Sequence, residues 1–265
     1  MSDVDVAGIA ADLRAEQDAL EAVVADLPAS AWDTPTPSPG WAVRDQIGHL
    51  TYFDDTAVLA ITDPEAFKAS VSALFEAAGN GTYDDLTLYR SLSASELLEE
   101  WRRNRARLAE AARGLNEGDR IPWYGPSMSA KSFLTARLME TWAHGQDVVD
   151  AVDGSRPATS RLRHIAQLGF ITRGWSYKNR GLEVPEAPVR VALQSPGGET
   201  WTWGPDDAAD VVSGPAEDFC MVVTQRRHVD DTALSVVGEA ARDWMLIAQA
   251  FAGGASDGPA RRSQP

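Results

Sequence analysis

Between Thr34 and Gly40 the chain reads Thr-Pro-Thr-Pro-Ser-Pro-Gly, and three alternating prolines cannot lie inside a helix. The segments on either side are patterned for helices. From Val6 to Leu27, Ile9, Leu13, Leu20, Val23, Val24 and Leu27 recur at three- and four-residue steps, which gives one apolar stripe. After the prolines, Val43, Ile47, Leu50 and then Phe53 or Asp54 continue such a stripe, and the pattern predicts a helix from near Trp41 to about Ile61. A weaker helix is predicted over 64–78, stopped by Gly79-Asn-Gly81. Ser93-Ala-Ser-Glu96 has the spacing of a capping box and opens a third strong helix that runs to about Leu115. A loop containing Asn116-Glu-Gly and Trp123-Tyr-Gly-Pro leads to a fourth, from Ser129 to Val152. Four long amphipathic helices with irregular connections fit a four-helix bundle over 1–152, a fold whose core holds metal ligands on facing helices.

From Asp153 the character changes. Asp153-Gly-Ser-Arg-Pro-Ala-Thr-Ser160 reads as a linker, followed by a helix over 161–178. Val189–Gln194, Thr200–Trp203 and Ala233–Val237 have strand character, and Ser195-Pro-Gly-Gly-Glu199 reads as a hairpin turn between the first two. Asp218–Thr224 fits either helix or strand, and Glu239–Phe251 is helical. The expected architecture is an α bundle followed by a small α+β domain over 153–252. A Gly-, Ser- and Pro-rich tail, 253–265, is expected to be disordered.

Composition excludes several roles. With a net charge of −15 the chain lacks the cationic surface that nucleic acid or an acidic membrane requires. No apolar run approaches the ~20 residues that span a bilayer. The acidic start, Met-Ser-Asp-Val-Asp, is unlike a signal peptide, and Cys220 is the sole cysteine, so no intrachain disulfide is available. The expectation is a cytoplasmic monomer or homodimer acting on a small molecule.

Only four histidines are present, and one of them pairs with a glutamate at a telling distance. Glu140 and His144 are four residues apart, so on a helix they share one face and can grip one ion. His49, in the second predicted helix, would complete a set of two nitrogens and one carboxylate, leaving positions open for water or substrate. Asp147 and Arg137 lie three residues to either side of that pair, placed either to orient a ligand or to form a surface ion pair. Asp54, near one turn beyond His49, fits a proton acceptor in the site or a solvated acid. Cys220, between Phe219 and Met221, reads as an inert buried thiol, and His164 and His228 as ordinary histidines.

Gly40-Trp-Ala-Val-Arg-Asp45 with His49-Leu50, and then Glu140-Thr-Trp-Ala-His144-Gly-Gln-Asp147, resembles the DinB-like superfamily and, within it, the mycothiol-dependent maleylpyruvate isomerase branch. The resemblance implies a metal, usually zinc, held by His49, Glu140 and His144. It implies mycothiol as a thiol cosubstrate, and a C-terminal arginine, best matched by Arg226 or Arg227, suited to a substrate carboxylate. Pro188–Leu193, Trp201–Gly204, Val212–Pro215 and Val236–Glu239 are similar to the sterol-carrier-like domain of those isomerases. They are also similar to a domain named for wyosine-base formation, a label that the acidic charge does not support as a tRNA function. Three readings stay open: a metal-dependent isomerase or thiol transferase acting on a small electrophilic or unsaturated acid, a hydrolase or lyase using metal-activated water, and a non-catalytic metal- or small-molecule-binding protein. Zinc, iron and nickel all remain compatible with the donors.

Overall fold

The computed structural model describes residues 4–79 and 86–262; part of the Gly79-Asn-Gly81 stop lies outside them. The chain divides into two compact units, Met1–Arg156 and Pro157–Pro265.

The first unit is a helical bundle. Its long helices are α1 (Val6–Val24), α2 (Val43–Thr62), α5 (Ala94–Ala112) and α6 (Ala130–Ala151), with α3 (Pro64–Gly79) and the single turn α4 (Thr87–Arg90) between the second and third. Contacts run α1 to α6, α6 to α2, α2 to α5 and α5 back to α1, which closes a four-helix ring. The sequence marks the ends of these helices. The Asp5 carboxylate accepts from the Gly8 N–H at α1, Ser93 and Glu96 exchange the reciprocal bonds of a capping box at α5, and Ser129 caps α6. The second helix starts at Val43, two residues later than its stripe suggests. Pro35 and Ala42 form a β-bridge there, and Asp45 reaches back to accept from the Ala42 N–H. Leu20, Val24, Trp32, Val43, Ile47, Leu50, Leu97, Trp101 and Val148 build the core between these helices. Two-residue strands β1 (Arg120–Ile121) and β2 (Met128–Ser129) pair antiparallel and hold the Trp123–Tyr124 loop at their turn.

The second unit is a mixed four-stranded sheet with helices. Its strands β3 (Val189–Gln194), β4 (Thr200–Trp203), β5 (Asp210–Pro215) and β6 (Ser235–Val237) lie in the order β4-β3-β5-β6, with only β3 and β5 parallel. The helices are α7 (Leu162–Ile171), α8 (Arg173–Lys178), α9 (Ala216–Val223) and α10 (Glu239–Ile247). The hairpin at 195–199 closes through the Ser195 N–H to the Glu199 carbonyl. Leaving β4, the chain must cross beneath β3 to reach β5. It does so at Gly204, where φ is 82° and any Cβ would lie 2.3 Å from the Val189 carbonyl oxygen.

Four local readings are sharpened by the structure. The single helix expected over 161–178 breaks at Thr172, whose hydroxyl donates to the Leu168 and Gly169 carbonyls and ends the first segment. The ambiguous segment at 218–224 belongs to helix α9, its Phe219, Cys220, Val222 and Val223 all buried. Strand β5 was not expected, because its Gly214 and Pro215 disguise it as a turn. Residues 253–262, expected as a disordered tail, have no helix or strand but are hydrogen-bonded to their unit. Asn179 and Gln249 donate to the Gly253 and Gly254 carbonyls, Gln225 to Ser256, and the Arg262 N–H to Asp231.

Candidate metal centre

Facing positions of α2 and α6 create the site. The pairs Gln46–His144 and Asp54–Arg137 show the two helices antiparallel, since numbers rise along one as they fall along the other. His49 comes from α2, Glu140 and His144 from α6, and one ligand atom from each lies within 4.8 Å of the others. The imidazole centroids of His49 and His144 are 4.4 Å apart, and His144 Nε2 is 3.1 Å from Glu140 Oε2. Donors around a zinc ion at about 2.0–2.2 Å are separated by roughly 3–4 Å, so small torsions bring the set to that spacing. Two imidazoles and one carboxylate suit zinc, iron or nickel, and three protein donors leave coordination positions open.

Charge also favours a cation. Burial would push the Glu140 carboxyl up, but the hydrogen bond and charge of His144, with the charges of His49 and Arg137, overcome it and hold the group at about 2. Glu140 is therefore ionised at neutral pH. All three donors are half-buried rather than sealed.

Aromatic rings wall the donors. Trp41 stacks on His144 with centroids 5.8 Å apart and planes 17° apart, and it meets the His49 ring at 5.3 Å. Phe53 lies 4.5 Å from His49, and Trp123 and Tyr124 lie 6.0 and 5.7 Å from Phe53. Tyr124 also lies within 3.4 Å of the Tyr52 hydroxyl.

The remaining expected site residues are placed differently. Asp54 is neither solvated nor one of the converging donors. It is fully buried five residues further along α2, where its Oδ1 accepts from Arg137 at 2.8 Å and its Oδ2 from Gln17 at 3.0 Å. Burial pushes its carboxyl up against the pull of Arg137 and Gln17. Arg137 is thus committed to a buried pair, not to a surface one, because both residues lie on core-facing positions. Asp147 is also buried and accepts from the Ser38 hydroxyl at 3.0 Å, which ties the proline segment to α6. Arg226 and Arg227 lie in the second unit, in the turn after α9, each giving one Nη1 to a nearby backbone carbonyl, of Thr224 and Arg226 respectively. His228 caps a short 3-10 turn through its Nδ1, and Cys220 is buried with its thiol pushed well up by desolvation.

Gln46, Thr36 and the rings of Trp41, Phe53 and Trp123 were missed as members of this site. A signal existed for Gln46: an amide on the stripe between Val43 and Ile47, three residues before His49, calls for a buried partner.

Fold and donor set together define a helical bundle with a two-histidine, one-carboxylate centre, joined to a small mixed-sheet unit. The model of the mycothiol maleylpyruvate isomerase N-terminal domain matches residues 13–149, and that for wyosine base formation matches 185–236. The chain belongs to the mycothiol maleylpyruvate isomerase N-terminal domain family. An uncharacterized protein of Mycobacterium tuberculosis, found in strains CDC 1551 / Oshkosh and H37Rv, is 49% identical over 243 residues, covering 92% of this chain and 95% of the relative. Crystal structures of the mycothiol-dependent maleylpyruvate isomerase and of a histidine-to-alanine mutant of it share the fold. Their TM-scores are 0.56 and 0.57 at 16% and 17% identity, covering 87% of this chain and 92% of theirs. Among the described residues no helix is long and apolar enough to cross a membrane.

Proposed function

We propose that His49, Glu140 and His144 hold one divalent metal ion, with zinc the best fit, and that the protein is a metal-dependent isomerase or thiol transferase. The observation that carries this reading is the convergence of two imidazoles and an ionised carboxylate from two helices. When bound, the ion supplies Lewis acidity that lowers the pKa of a thiol or water at an open position. The residues of the chain do the rest. Glu140 contributes the negative charge, and the aromatic wall of Trp41, Phe53 and Trp123 offers a flat apolar surface for a small unsaturated molecule while limiting access of water. Similar solved structures are of a mycothiol-dependent isomerase, which favours a low-molecular-weight thiol over water as cosubstrate. Arg226 or Arg227, the match to the family's C-terminal arginine, is assigned to a substrate carboxylate, with which a planar guanidinium forms two parallel hydrogen bonds.

Elemental analysis of the purified protein tests the core of this reading. One divalent ion per chain is expected, largely lost in both His49→Ala and His144→Ala; full retention in both variants removes the site. Turnover of a small unsaturated acid should then require added thiol. Turnover without thiol would favour activated water instead.

A further inference from the structure

Thr36, Trp41, Gln46 and His144 are joined by hydrogen bonds whose directions follow from one end. The Trp41 carbonyl can only accept, so the Thr36 hydroxyl, 2.9 Å away, donates to it. Having placed its single proton there, Thr36 Oγ1 acts as an acceptor toward Gln46, whose amide Nε2 lies 2.8 Å away. This leaves Gln46 Oε1 turned toward His144 Nδ1 at 2.6 Å. Two acceptors would repel at that distance, so Nδ1 carries a proton and donates it. The other ring nitrogen, Nε2, is 3.1 Å from Glu140 Oε2 and by the same argument donates to that carboxylate while no ion is bound, so Nε2 is the position whose proton an ion would displace.

We infer that Gln46, held by Thr36, is a positioning residue that keeps the proton of His144 on Nδ1 and so presents Nε2 to a metal ion. The inference rests on the metal reading proposed above and adds to it the residue that sets ligand geometry. Gln46 is fully buried, and an amide in that position is costly unless both its ends are bonded. Turning the amide over would remove the Thr36–Trp41 hydroxyl bond and convert Nδ1 into an acceptor, moving the ring proton to the donor side of the site. Stacking of Trp41 on His144 restrains the tilt of the same ring. The proline segment therefore acts on the site twice, through Thr36 and through Trp41. A ligand histidine commonly depends on such a partner, and its loss lowers metal affinity by roughly 10–100-fold.

Zinc dissociation constants of the full-length protein, read by competition with a chromophoric chelator, provide the first measurement. Gln46→Leu should bind zinc roughly 10–100-fold more weakly. Gln46→Glu keeps an acceptor for Nδ1 and should stay within a few-fold of wild type; Thr36→Val, which only unpins the amide, should fall between. Nitrogen NMR with labelled histidine gives a readout independent of affinity and of turnover. His144 Nδ1 should bear a proton in the metal-free protein, and in the cadmium-113-loaded protein the metal coupling should appear at Nε2. An unprotonated Nδ1, coupling at Nδ1, or wild-type zinc affinity in Gln46→Leu overturns the inference. If wild type binds no zinc, the metal reading fails, and the protonation of Nδ1 in wild type still decides the role of Gln46. If Gln46→Leu does not fold, Thr36→Val and the spectra of wild type carry the test.

Discussion

Two polar layers lie five residues apart along α2, and they handle charge inside a helix bundle in opposite ways. In one, Asp54 is sealed from solvent and matched by Arg137 and Gln17, so nearly every acceptor has a donor from within the chain. In the other, His49, Glu140 and His144 converge with partial access to solvent, and the partner of the carboxylate is an imidazole, His144. The first layer is complete without a ligand; the second gathers lone pairs suited to a cation. A buried acid on a bundle helix therefore points to a binding site when the groups facing it are imidazoles, which can exchange a proton for an ion, rather than a guanidinium, which cannot.

The comparison can be broken at its sealed side first. Arg137→Ala leaves Asp54 as an uncompensated buried acid and should cost about 3–5 kcal/mol in denaturant unfolding of the metal-free protein. His144→Ala should cost far less in the same assay, because its layer is open. Equal losses would show that the two layers are energetically alike.

Acid titration sharpens the contrast next. Glu140 is lowered from 4.5 to about 2, so its contribution is present above 4.5 and disappears as pH falls toward 2. Asp54 is raised from 3.8, so folding favours its protonated form, and its contribution is full below 3.8 and is lost as pH climbs above 3.8 through the raised native value. In metal-free protein, Glu140→Gln should flatten the loss of stability between pH 4.5 and about 2. An unchanged slope would mean that His144 and His49 do not act on Glu140.

The smallest effect is expected at the strap over the open layer. Ser38→Ala removes one hydrogen bond to the buried Asp147 carboxylate and should cost about 1.5 kcal/mol, the lower end for a bond to a charged group. Zinc affinity should fall no more than in Thr36→Val. A larger loss of zinc than of stability would place Ser38, rather than Thr36, at the head of the chain of bonds to the site.

Much of this was legible because local rules dominate it. Ser93 and Glu96 announce α5, the stripe of α1 needs no partner to be recognised, and a four-residue spacing puts Glu140 and His144 on one face whatever surrounds them. What stayed hidden depends on contacts between distant segments. Asp54 and Arg137 read in sequence only as neighbours of the expected donors, and their pairing is set by the antiparallel register of α2 and α6. The proline run reads as a break, and only packing shows that Thr36, Ser38 and Trp41 reach α2 and α6. Strand β5 ends in Gly-Pro, and its identity comes from pairing with β3 and β6 rather than from its own residues. Thr172 interrupts a helical pattern by a side-chain bond that periodicity does not register.

Helix α2 packs against α3, α4, α5, α6 and the 3-10 turn at Ala29–Asp33. In terms of hydrogen exchange, amides on an element so shared open only when the unit as a whole unfolds. His49 and Gln46 thus sit on backbone that cannot fray locally, whereas the 34–42 strap and the Trp123–Tyr124 loop lie on connecting segments. The amides around His49 should accordingly be among the last to exchange, with or without metal.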